Sequence, residues 1–131
     1  MRQLRLLHLP LVLGPVLFTA ILVFLRSTGP TSATGVPPMI PLVILGFAVM
    51  MILSAAVLRT RIPPMESGSN ADEWAARNKT QCLILWMVLE GSAILCAVAL
   101  FLGADPWLAG GLAAGALGFL ASQSPGAVAG H

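Results

Sequence analysis

Charge is what this chain has least of. Asp, Glu, Lys and Arg make up 9% of its 131 residues, apolar types make up 57%, and the mean hydropathy is +0.91. A water-soluble domain carries roughly one quarter charged residues, so that class is excluded and lipid becomes the solvent to reason from. No segment alternates apolar with polar side chains, which excludes a closed barrel of strands. Cysteine is scarce too: Cys82 and Cys96 stand 14 positions apart in one expected helix. That is about 21 Å along its axis, far beyond disulfide reach, and both read as small apolar fillers. His8 and His131 are isolated from each other, and no metal-ligand spacing is present. Glu66, Asp72, Glu73 and Asp105 fall in loops or at helix starts, where capping accounts for them. Neither a catalytic constellation nor a cofactor site is expected.

What is present is a series of apolar runs. Four could cross a bilayer: 9–25, 40–58, 82–102 and 106–121. About 20 residues span roughly 30 Å of hydrocarbon, so the middle two are comfortable and the outer two marginal. The expected fold is an all-α integral membrane protein with four transmembrane helices arranged as two antiparallel hairpins, in a single domain over 1–131. Arg2 and Arg5 precede the first span, and Arg59, Arg61, Arg77 and Lys79 fall in the connection over 59–79. With four crossings these share one side against Arg26 on the other, which places both termini and that loop in the cytoplasm. The expected location is a bacterial inner membrane. The net charge of +2 follows from this asymmetry and gives no nucleic-acid surface.

Local signals divide the chain further. Ser27 to Pro38, rich in proline, glycine and hydroxyls, reads as an external loop, and Pro41 suits the first turn of the second helix. Pro63, Pro64 and Gly68 stop that helix after Arg61. Asn70 and Glu73 have capping-box spacing, so the third helix starts near Ala71, with Trp74 and Trp107 marking the two interfaces. Asp105 followed by Pro106 starts the fourth helix. That helix is built of small residues, and Gly111 with Gly115, and Ala114 with Gly118, repeat the spacing that lets backbones approach closely in lipid. Its packing partner is either the third helix or a neighbouring subunit. The tail from Gln123 onward has no apolar period and is expected to be loose.

One residue breaks the pattern. Glu90 is the only charge within 82–102, where a carboxylate costs roughly 2.5–3.5 kcal/mol on insertion scales. No lysine or arginine lies within a span at its depth, so a neutral, protonated acid is the expected form. Ala93 and Ala97 share its helix face and leave room for a neighbour. Thr19 and Ser54 fall at similar depths on other helices, and Trp86 could offer an N–H; these are the expected hydrogen-bonding companions.

The stretch Leu89-Glu90-Gly91-Ser92-Ala93-Ile94-Leu95-Cys96-Ala97-Val98-Ala99-Leu100 resembles the carboxylate helix of the proteolipid c-subunit of rotary ATPases. The resemblance implies that Glu90 carries a translocated proton or sodium ion and that a Gly/Ala-rich helix packs against it within a ring. Here the small-residue helix follows the acid helix, where the family has it first, and the family's polar loop between the two is absent. Small four-span multidrug exporters also use one intramembrane Glu, but in their first helix. Two functions are consistent with these residues. One is a structural or accessory subunit of an oligomeric membrane complex, alone or among other membrane subunits, with Glu90 as an interhelical hydrogen-bond donor. The other is a small proton- or cation-translocating subunit that uses Glu90.

Overall fold

The computed structural model describes residues 2–28, 37 and 39–130, and the regular structure among them is entirely helical. Helix α1 covers Arg2–Thr28, α2 Met39–Arg61, α3 Ala71–Phe101, α4 Pro106–Ser122 and α5 Pro125–Ala129. The first three are long and apolar enough to cross a membrane, whereas α4 has 17 residues. The loop expected over 27–38 lies mostly outside the described residues, as does His131.

Helix ends follow local chemistry. The Asn70 side chain accepts a hydrogen bond from the Asp72 amide at 3.0 Å, serving one of the N–H groups that the first turn of α3 leaves without a partner. Asp72 and Glu73 occupy that turn, where the positive end of the helix dipole favours them. Asp105 Oδ1 accepts from the Trp107 amide at 3.0 Å, and Pro106 stands where no N–H is needed. Gly103, at φ +100°, makes the turn between the two helices in a conformation that side chains disfavour. Helix α1 is longer than its apolar core over 9–25: it begins at Arg2 and continues through Pro10 and Pro15. Each proline removes a backbone donor, leaving the carbonyl four residues earlier, at Leu6 and Leu11, without its helical bond.

Helix α3 is the axis of the bundle. Gly14 faces Glu90 and Thr19 lies beside Ala97, so α1 runs parallel to α3. Met51 meets Gly91 while Leu58 shares a groove with Ile84, so α2 runs antiparallel. Trp86 reaches Gln123, and Cys96 and Ala99 cluster with Ala109 and Ala113, so α4 is antiparallel as well. The buried share of the apolar window rises from 11% in α1 and 22% in α2 to 44% in α3. Helices α1 and α2 both lean on α3 and, among the described residues, scarcely on each other. Among the described residues, the first expected hairpin therefore has opposed directions with little shared interface. Ser92, Ala93, Cys96, Ala97 and Ala99 are all buried on α3; such small side chains let neighbours approach from more than one side.

The tail departs from expectation. Ser124 caps α5, Val128 and Ala129 are fully buried, and the Met65 amide donates to the Ala129 carbonyl at 2.9 Å. A segment of five residues needs no apolar period of its own when a preformed surface receives it. Val128 and Ala129 join Leu4, Ile62, Leu85 and Leu120 in one cluster that closes the basic end of the bundle.

Candidate functional site

Glu90 stands on the side of α3 that meets α1. Its Oε1 lies 3.2 Å from where a Cβ on Gly14 would be, so the carboxyl rests directly on the bare backbone of α1. The next residue, Gly91, makes a second close approach: a Cβ there would come within 2.9 Å of Met51 Cε. Two glycines thus let α1 and α2 close on α3 at the level of the acid. Glu90 is half-buried rather than sealed. Pro15, fully buried next to Gly14, is the residue that deprives the Leu11 carbonyl of its helical donor, so α1 offers backbone acceptors in this region.

The companions expected from sequence are directed elsewhere. Ser54 is exposed and donates back to Met50 O at 2.8 Å within its own helix. Thr19 borders a small cavity of about 10 Å³ shared with Leu22, Ala97 and Phe101, and its buried Oγ1 has no hydrogen-bond partner. Ala97 is seven residues beyond Glu90, so Thr19 stands two turns, about 10 Å, from the acid. Trp86 is fully buried and donates Nε1–H to the Gln123 carbonyl at 2.8 Å. Depth along a helix is readable from a sequence, but azimuth around the bundle is not, and azimuth decides these three cases.

The packing residues divide as well. Ala93 and Ala97 are buried. On α4 the inward face consists of Ala109, Ala113, Ala116 and Leu120, whereas Gly111, Ala114, Gly115 and Gly118 are exposed, and a Cβ on any of the three glycines would meet nothing within 4 Å. Of the two partners weighed for the small-residue stripe, the chain's own third helix is not the one. Alanines supply the close contact to α3.

A polar belt that sequence reading did not anticipate lies one turn from Glu90. His8 Nε2 stands 2.9 Å from the Leu120 carbonyl, which can only accept, so this nitrogen carries the proton. The imidazole packs on Trp86 with ring centroids 4.8 Å apart, tilted by 60°. Arg59 donates from Nε to Gln123 Oε1 at 2.7 Å and from its second terminal nitrogen to the Ala127 carbonyl at 3.3 Å. The reason lies in α4 itself, whose last turn has no basic residue. Beyond the Gln123 amide, the end of α4 has few donors of its own, so the Leu120 and Gln123 carbonyls collect His8 and Trp86, while Arg59 holds the Gln123 side chain and the Ala127 carbonyl of α5. The absence of any Lys, Arg or His near Ser122 was the signal available in the sequence.

Further out, Trp74 is buried and donates to the Pro63 carbonyl at 3.0 Å, tying the 62–69 connection to α3, while Trp107 is 90% exposed. Among the described residues no group of three His, Cys, Asp or Glu side chains could hold a metal ion. No family model, curated protein or solved structure matches the chain.

Proposed function

We propose that the chain is a structural or accessory subunit of an oligomeric membrane complex, in which Glu90, in its neutral form, ties α1 to α3. Four helices cross the membrane, and the basic end, holding the chain termini and the Arg59 to Lys79 connection, faces the cytoplasm. The observation that carries this reading is the seat of the carboxyl on Gly14, against a helix of which only 11% of the apolar window is buried. With so little packing of its own, α1 depends on few contacts for its register, and in this proposal the neutral acid donates to a backbone carbonyl that Pro15 leaves free, a bond that lipid cannot compete for. Such bonds average only about 0.6 kcal/mol in membrane bundles, so the role concerns specificity more than stability.

Depth supports the same reading. Glu90 is four residues from Trp86, the α3 member of the polar belt, and therefore about 6 Å inward of it. An acid so close to a layer of histidine, arginine and glutamine is placed for architecture more readily than one alone at the bilayer centre. The exposed faces of α1, α2 and α4 leave room for neighbouring subunits, of the same or another kind.

One observation favours the second reading, in which Glu90 binds and releases a proton or cation: the acid is half-buried and not enclosed, so an adjacent subunit could reach it. Glu90→Gln separates the two. In proteoliposomes carrying a pH-sensitive dye, the structural reading requires equal proton flux from wild type and variant, with the native-mass oligomer unchanged. A flux present in wild type and lost in Glu90→Gln, with the oligomer intact, replaces it by the translocating reading.

A further inference from the structure

We infer that the groove between α2 and α3 is a binding site for a single anionic phospholipid, its phosphate on Arg61 and one acyl chain lying along the helices. The groove, about 530 Å³, has walls of Leu53, Val57, Ile84 and Val88, with Met50 at its deep end and Arg61 at its mouth. From Arg61 to Met50 is 11 residues, about 16 Å of helix, which is the hydrocarbon depth of one leaflet. A chain entering at the headgroup level would therefore end where the groove ends.

The two arginines that finish α2 have separate employments. Arg59 is turned inward onto Gln123 and the Ala127 carbonyl. Arg61 is exposed, with no bonding or ionic partner among the described residues. Its guanidinium offers a planar donor fork suited to phosphate, and basic pockets between helices at a membrane surface recruit anionic headgroups. Ser54, the one polar side chain within the groove, has its hydrogen already committed to Met50 O, so the channel below the arginine presents no unserved donor to an acyl chain. Charge at the mouth and apolar walls over one leaflet's depth are complementary to an anionic lipid and to neither half of it alone. The inference needs α2 and α3 to lie in a bilayer, as the proposed function does, but it does not depend on what Glu90 does.

The test is native mass spectrometry of the detergent-purified full chain with equal amounts of dioleoyl-phosphatidylglycerol and dioleoyl-phosphatidylcholine. Wild type should retain the anionic lipid about fivefold over the zwitterionic one, the factor that one basic residue near a charged surface contributes. Arg61→Ala should abolish the preference, and Leu53→Trp, which fills the groove from an exposed position, should lower retention of both lipids. Unchanged helix content by circular dichroism shows that the variants fold. Soluble glycerol phosphate should not displace the bound lipid. Equal retention of the two lipids by wild type overturns the proposal, as does a preference that survives Arg61→Ala or full competition by glycerol phosphate. A dimer that dissociates on Leu53→Trp assigns the face to a second copy of the chain and overturns it too. None of these results alters the Glu90→Gln flux comparison, so the two readings fail separately.

Discussion

Glu90 Oε1 and Gly14 are in contact distance across the α1–α3 interface: a Cβ added to Gly14 would stand 3.2 Å from that oxygen. The acid occupies volume that any side chain on residue 14 would claim. Gly14→Leu should therefore displace the carboxyl or lift α1 from α3, at about 1–3 kcal/mol, the range for inserting methylenes into a packed site. Gly14→Leu combined with Glu90→Ala should recover part of the loss. Reversible denaturation in mixed micelles, with all four forms of the double-mutant cycle, measures this. Additivity within about 0.5 kcal/mol would show that the two residues do not interact.

Thr19 provides a second test. Its Oγ1 is buried without a hydrogen-bond partner beside Ala97, and burying an unpaired hydroxyl costs about 1–3 kcal/mol by protein mutational data. Thr19→Val keeps the branched shape and removes the hydroxyl, so stability should rise by about 1 kcal/mol or stay level. A marked loss would mean that the hydroxyl serves a bound ion, water or partner.

Trp86 joins the acid-bearing helix to the end of α4. Trp86→Phe keeps an aromatic ring against His8 and removes the Nε1–H donated to the Gln123 carbonyl at 2.8 Å. The expected loss is about 1–2 kcal/mol, that of a buried hydrogen bond. Trp107→Phe, at a residue 90% exposed, should stay within about 0.5 kcal/mol. Equal effects at both positions would dismiss the belt as a source of stability.

The C-terminal segment supplies the fourth prediction. Val128 is fully buried at the basic end of the bundle, so Val128→Ala should destabilise by about 1–3 kcal/mol through lost burial and the cavity left behind. Carboxypeptidase should then trim the variant faster than wild type, because α5 must leave its seat to be cut. Identical trimming rates would mean that the tail detaches freely.

Much of the fold was legible because lipid imposes strong one-dimensional constraints. Helix ends at Arg61, Asn70 and Asp105 follow from proline, glycine and capping residues, which act on their immediate neighbours. The seat of Glu90 was legible only in part. Its helix and depth could be counted from the sequence, yet Ser54, Thr19 and Trp86 at comparable depths all point elsewhere. The outward glycine stripe of α4 shows the same limit: small-residue spacing marks a face that permits close approach, while the alanine face beside it makes the contact with α3.

The amino-acid order alone determined that this chain is helical, with runs long and apolar enough to cross a membrane, where α2 ends and where α3 and α4 begin, and that one acid sits within an apolar run. Those properties depend on composition, on intrahelical hydrogen bonds and on residues a few positions apart. Tertiary structure decided which helix became the axis, that Gly14 receives Glu90, that His8, Arg59 and Trp86 converge where α4 gives way to α5, and that the tail folds back. These depend on how helices are rotated about their own axes, and that rotation is set by packing among partners far apart in the chain.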